Sequence, residues 1–208
     1  MTLSRLRYEQ KAAGSLCAQG LDRRKEGLHP PLHPFFRTTA MPLSMYEASV
    51  PVFIHFFGNL SKILEKGAEH AKSKGIDPAT LIEARLFEDM HPLPQQIQRA
   101  SDTSKGCAAR LAGIEAPKFA DEEKTFEELQ ARIKKTVDFL KSVTPSQIDG
   151  TEGKDIALQA GKTTLQFKGQ DYLLGFALPN FFFHVTTAYD ILRHKGVPLG
   201  KMDYLARP

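Results

Sequence analysis

A mainly α fold, a four-helix bundle with one small β-hairpin before the last helix, is what the sequence predicts, and three observations predict it. Long stretches repeat apolar residues at three- and four-residue spacing, residues 154–168 alternate instead, and Gly or Pro closes each segment. From Ser44, the residues Tyr46, Val50, Phe53, Phe57, Leu60 and Leu64 form one helical stripe that ends near Lys74-Gly75. Asp77-Pro78 has the order of an N-cap followed by a first-turn proline, predicting a short helix to about Leu86. His91-Pro92-Leu93-Pro94 forces a break. Beyond it Leu93, Ile97, Ala100, Ser104, Ala108 and Leu111 make the second long stripe, which stops at Gly113.

The third long helix is expected from about Asp121, its acidic start suiting the positive end of the helix dipole, with Phe126, Leu129, Ile133, Val137 and Leu140 on one side. It stops before Pro145. In residues 154–168 Ile156 and Leu158, then Leu165 and Phe167, alternate with polar or small neighbours about Ala160-Gly161-Lys162, the pattern of a hairpin. The last helix, Asp171 to about Lys195, is apolar on nearly every side, and Pro179 is expected to kink it.

These elements place one domain at 41–208. Residues 1–40 carry a Pro-rich stretch and no sustained period, which predicts a poorly ordered N-terminal extension; one reading makes Met41 the true start. The net charge of +4 divides unevenly: seven Lys/Arg against three Asp/Glu lie in residues 1–40, leaving 21 of each in the remainder. The body thus lacks the basic surplus that phosphate binding requires, so no nucleic-acid partner is expected. Two cysteines, Cys17 and Cys107, make no disulfide framework, and no apolar run reaches the ~20 residues of a membrane span. A cytoplasmic protein fits; the alternative is a mitochondrial one, if the Arg-rich extension acts as a presequence.

The strongest signal for a site lies in the last helix. Asn180 and His184 fall four apart on the side shared by Leu173, Ala177, Thr187 and Ile191, so two polar groups project from an apolar stripe. Either they satisfy their hydrogen bonds inside the core or they face a polar cavity. Asn180, His184, Thr187 and Tyr172 are the candidate pocket residues, with His184 the candidate catalytic group. His91, before a proline at the mouth of the second long helix, is a further candidate imidazole. His55, His70 and His194 read as surface groups, and Asp121-Glu122-Glu123 as a solvated helix start. The glycines do not take the spacing of a phosphate-binding loop.

Asp171-Tyr172-Leu173-Leu174, then Leu178-Pro179-Asn180-Phe181-Phe182-Phe183-His184 through Tyr189, and Ile191 to Pro198 resemble the C-terminal signature of an uncharacterised family of DinB-like (YfiT-like) bundles. Ser44-Met45-Tyr46 and Asp89-Met90-His91-Pro92-Leu93 agree, and the resemblance spans about Met41 to Leu205. It implies a four-helix bundle, a homodimer, and a superfamily in which many members bind a divalent metal through three histidines, two of them four apart on the last helix. Here His184 matches one of that pair, Asn180 stands at the other, and the second long helix holds no histidine. An Asn amide is a poor ligand for Zn or Ni. The resulting expectation is a bundle that binds a small molecule around Asn180 and His184 without an intact three-histidine site. The alternative is a metal-dependent small-molecule enzyme, of thiol transferase or isomerase type, with a degenerate Zn or Ni site that uses His184 and His91.

Overall fold

The computed structural model describes residues 43–205, so the expectations placed on residues 1–40 lie outside the described residues. The first long helix, α1 (Val50–Lys74), starts six residues later than the apolar stripe suggests. Residues 45–49 are turns instead, with the Ser49 hydroxyl donating to the Met45 carbonyl at 2.6 Å, and Pro51 occupies the first helical turn, where no N–H is needed. Gly75, at φ 65°, supplies the left-handed residue that closes α1.

Asp77 caps α2 (Pro78–Ile82) by accepting from the Ala79 amide, and this helix ends one turn short of the predicted Leu86. The second long helix is α3 (Leu93–Ala112), closed by Gly113. The third, α4 (Phe126–Ser142), begins five residues after Asp121 because Thr125 and Glu128 form a reciprocal capping box that fixes the first turn. A single turn, α5 (Pro145–Ile148), follows, which the periodicity did not reveal.

β1 (Asp155–Ala160) and β2 (Thr163–Lys168) pair antiparallel, joined by Gly161-Lys162 with Gly161 at φ 60°. Ile156 stands opposite Phe167 and Leu158 opposite Leu165, so one face of the hairpin is apolar. The chain then enters α6 (Gly169–Tyr172), a π turn at Leu173–Ala177, and α7 (Leu178–His194). The expected kink at Pro179 takes this form. Pro179 has no N–H for the carbonyl four residues back, and its ring would crowd that carbonyl, so the backbone widens just before it. A last short helix, α8 (Lys201–Leu205), lies beyond the elements read from the sequence.

The long helices close a ring in the order α1, α4, α3, α7, with α8 laid against α1. Phe181, Val185, Ala188 and Leu192 form the buried stripe of α7, and Phe181 meets Phe53 and Phe57 edge-on, with ring centroids 4.9 and 5.2 Å away. Gly67 lets α1, α4 and α7 approach closely: a Cβ there would stand 3.1 Å from the Phe126 ring and 3.4 Å from Leu192. Tyr204 of α8 packs on Phe56, and its carbonyl accepts from the buried Asn59 amide at 2.9 Å. No helix among the described residues is long and apolar enough to cross a membrane.

The acidic segment before α4 does more than face solvent. Arg132 of α4 is 2% exposed, and its guanidinium donates to the Ala120 carbonyl and to Asp102, Asp121 and Glu123 at 2.9 to 3.1 Å. Its Nε reaches the Ser101 hydroxyl at 3.1 Å, and that hydroxyl meets Thr136 at 2.7 Å. Phe119 covers both Arg132 and the nearby Lys105. One arginine thereby ties the loop before α4 to the middle of α3.

Candidate functional site

Three polar rungs join α3 to the antiparallel stretch that runs from α6 into α7. His184 Nδ1 meets Gln96 Oε1 at 2.8 Å, Asn180 donates to the Thr103 hydroxyl at 2.7 Å, and Arg110 donates to the Tyr172 hydroxyl at 3.0 Å. Asn180 and His184 therefore do not pair with each other; each reaches across to α3. They lie at the edge of the core stripe of α7 and are half-buried. Among the described residues, all fully buried side-chain nitrogen and oxygen atoms have hydrogen-bond partners.

The Gln96 rung fixes the state of the histidine. Gln96 Nε2 donates to the His91 carbonyl at 2.8 Å, which turns Oε1 toward His184. An amide oxygen only accepts, so His184 carries its proton on Nδ1. The lone pair of Nε2 then has no partner among the described residues. Burial, reinforced by the charges of Arg99 and His91, lowers the imidazole from 6.5 to about 4, and the ring is neutral at physiological pH.

This depressed value has a measurable consequence. Between pH 6.5 and about 4 the unfolded chain binds the proton more readily than the folded one. The contribution of His184 to stability is complete above that window and falls as the pH is lowered through it. Melting temperatures of the parent and His184→Gln, measured across the window, are expected to converge as the pH drops. A pH-independent difference between them would contradict the assignment.

The remaining candidates divide. The Thr187 hydroxyl is spent on the Phe183 carbonyl of its own helix at 2.7 Å, and the side chain is buried. Tyr172 is buried two rungs away against Phe167 and Phe176, its hydroxyl raised to about 12 by burial and the neighbouring Cys107. Cys107 is itself buried and raised to about 12, an inert thiol. His91 contributes its carbonyl to the Gln96 rung. Of the three phenylalanines before His184, Phe181 is core, Phe182 packs on Phe56, and Phe183 is 56% exposed beside the imidazole.

Sequence reading missed Gln96, Arg99 and Thr103. They recur at three and four along α3, next to the apolar stripe rather than on it, and that spacing was the available signal. Arg99 is exposed and forms no salt bridge among the described residues. For a divalent metal the donor set is poor: Asn180 is engaged with Thr103, and among the described residues no group of three His, Cys, Asp or Glu side chains could hold an ion. The three-imidazole arrangement implied by the resemblance does not fit these residues.

The helical ring with its hairpin before the last helix has a counterpart in the crystal structure of a DinB family member from Shewanella denitrificans. That structure matches with a TM-score of 0.71 and 35% identity over 78% of this chain and 92% of that one, which defines the class as a DinB-like bundle. The model of the domain of unknown function DUF1993 matches residues 45–205, and the chain belongs to this family. A search of curated proteins finds no match.

Proposed function

We propose that this DinB-like domain binds a small organic molecule at the edge of the α3–α7 seam, with His184 as its principal polar contact. The observation that carries this reading is the Gln96 clasp, which holds His184 in one tautomer and leaves Nε2 as a lone hydrogen-bond acceptor. A ligand O–H or N–H would donate to Nε2. Arg99 favours an anionic group beside it, and the exposed face of Phe183 offers an apolar contact. Binding is favoured over proton transfer, because a general base works best near the operating pH and an imidazole at about 4 is too weak a base for that.

The metal-dependent alternative draws support only from His91, whose charge is felt at His184. It would use Zn or Ni with His184 and His91 as ligands. A thermal-shift panel of small organic acids, read beside metal analysis of the purified protein, tests both readings. Expected is a ligand that raises the melting temperature of the parent but not of His184→Gln, with Zn or Ni alone producing no shift. Stoichiometric metal lost in His184→Gln would establish the alternative. A parent that answers to neither, with His184→Ala and Asn180→Ala merely unstable, would leave the seam a structural contact.

A further inference from the structure

Between α1 and α4, on a side of the ring that shares no residue with the seam just described, lies an open groove of about 670 Å³. Ile54 and Phe57 of α1 and Ile133 and Val137 of α4 line it with apolar surface. One end is shut by a double hydrogen bond: the Ser61 hydroxyl donates to Gln130 Oε1 at 2.6 Å, and Gln130 Nε2 donates to the Ser61 carbonyl at 2.8 Å. Gly58 opens the α1 wall, for nothing stands within 4 Å of where its Cβ would be. The rim carries Lys62, Lys134 and Lys141 against the single acid Glu65. Lys134 is engaged by Asp138 at 2.6 Å, while Lys62 and Lys141 form no salt bridge among the described residues.

An apolar trough with spare cations on its rim suits a molecule that is apolar along its length and negative at one end. From Ser61 back to Ile54 the groove runs roughly 10 Å by the helical rise, the length of an aliphatic chain of roughly eight carbons. The volume lies within the ordinary range for small-molecule sites. We propose that this groove binds an aliphatic carboxylate, its chain along Ile54, Phe57, Ile133 and Val137 and its head group drawn to Lys141. A free carboxylate is preferred to a second copy of the chain because the groove is bounded by the Ser61–Gln130 clasp and edged by lysines, which a second lysine-rimmed copy would meet unfavourably.

Decanoate is the probe, with decanol and decyltrimethylammonium as neutral and cationic controls, all below their micelle concentrations. Binding is read from the methyl NMR signals of Ile54, Ile133 and Val137. Decanoate is expected to shift these signals, more tightly than decanol, with the cation weakest. Gly58→Leu should reduce decanoate affinity at least tenfold while leaving the melting temperature unchanged or higher, since the new side chain enters open space and improves helix propensity. Lys141→Gln, on an exposed position, should weaken decanoate several-fold and leave decanol unaffected. The proposal is overturned by absent shifts, by Gly58→Leu binding like the parent, or by equal affinity for the cation. A parent dimer that Gly58→Leu dissociates would also overturn it, assigning the groove to a second copy.

Discussion

Replacing Arg132 with Met is expected to destabilise the fold by about 3 kcal/mol, the lower part of the range for removing one member of a buried ionic network. The side chain is buried, yet two of its carboxylate partners, Asp102 and Asp121, are 43% and 56% exposed and can be rehydrated when the cation is gone. Glu123, at 13%, cannot recover water as readily. The loss therefore falls on the loop before α4 and on the Ser101–Thr136 contact within the α3–α4 interface. Arg132→Lys should recover only part of it, because an ammonium cannot bridge several acceptors with the planar fork of a guanidinium. Urea unfolding reads the effect as a lower midpoint with an unchanged slope. A loss of unfolding free energy under about 0.5 kcal/mol, on the order of an ordinary surface substitution, would show that the network contributes little.

Gly169→Ala is expected to cost about 3 kcal/mol and to lower the melting temperature by roughly 10 °C. A Cβ on Gly169 would run into the carbonyl oxygen of Thr151, which is backbone and cannot rotate away, while Leu111 stands 3.4 Å off on another side. The Thr151 carbonyl also accepts from the Lys154 amide at 3.1 Å, and the Gln170 amide donates to Glu152 at 3.0 Å, so the turn is held from both ends. Relief would have to move the hairpin foot or the start of α6, and with it Tyr172. Gly153→Ala, in the same turn but with open space around its Cβ position, should change stability by less than about 1 kcal/mol. Equal effects of the two substitutions, measured by thermal unfolding, would remove the steric explanation.

Both predictions concern residues that the sequence pattern passed over, for related reasons. Arg132 flanks the apolar stripe of its helix, three residues after Leu129, and as a charged residue off the stripe it is assigned to solvent by periodicity. Its burial depends on Phe119 and three acids brought in from a loop and from α3, contacts between residues 9 to 30 positions apart. Gly169 lies at the end of a strand, where glycine has many uses, and only the approach of Thr151 selects among them.

What the sequence determined by itself follows from local periodicity. The stripes of α1, α3 and α4, the turn at Ala160-Gly161-Lys162, and the Gly75 and Gly113 helix ends are written in spacings of two to four residues. The shared face of Asn180 and His184 is legible for the same reason, since four residues make just over one helical turn. Tertiary structure decided the partners on that face. Gln96 lies 88 positions from His184, and Thr103 lies 77 from Asn180. Which nitrogen of His184 is protonated depends on Gln96 being turned by the His91 carbonyl, and how far its basicity falls depends on burial between two helices. Packing also settled the position of α8, through Tyr204 on Phe56 and on Asn59, whereas the start of α4 and the π turn before Pro179 follow from local effects that apolar periodicity passes over, the Thr125–Glu128 capping box and the missing Pro179 N–H. The energies of the Gln96, Thr103 and α8 contacts arise only after distant segments meet, so no pattern confined to one segment contains them.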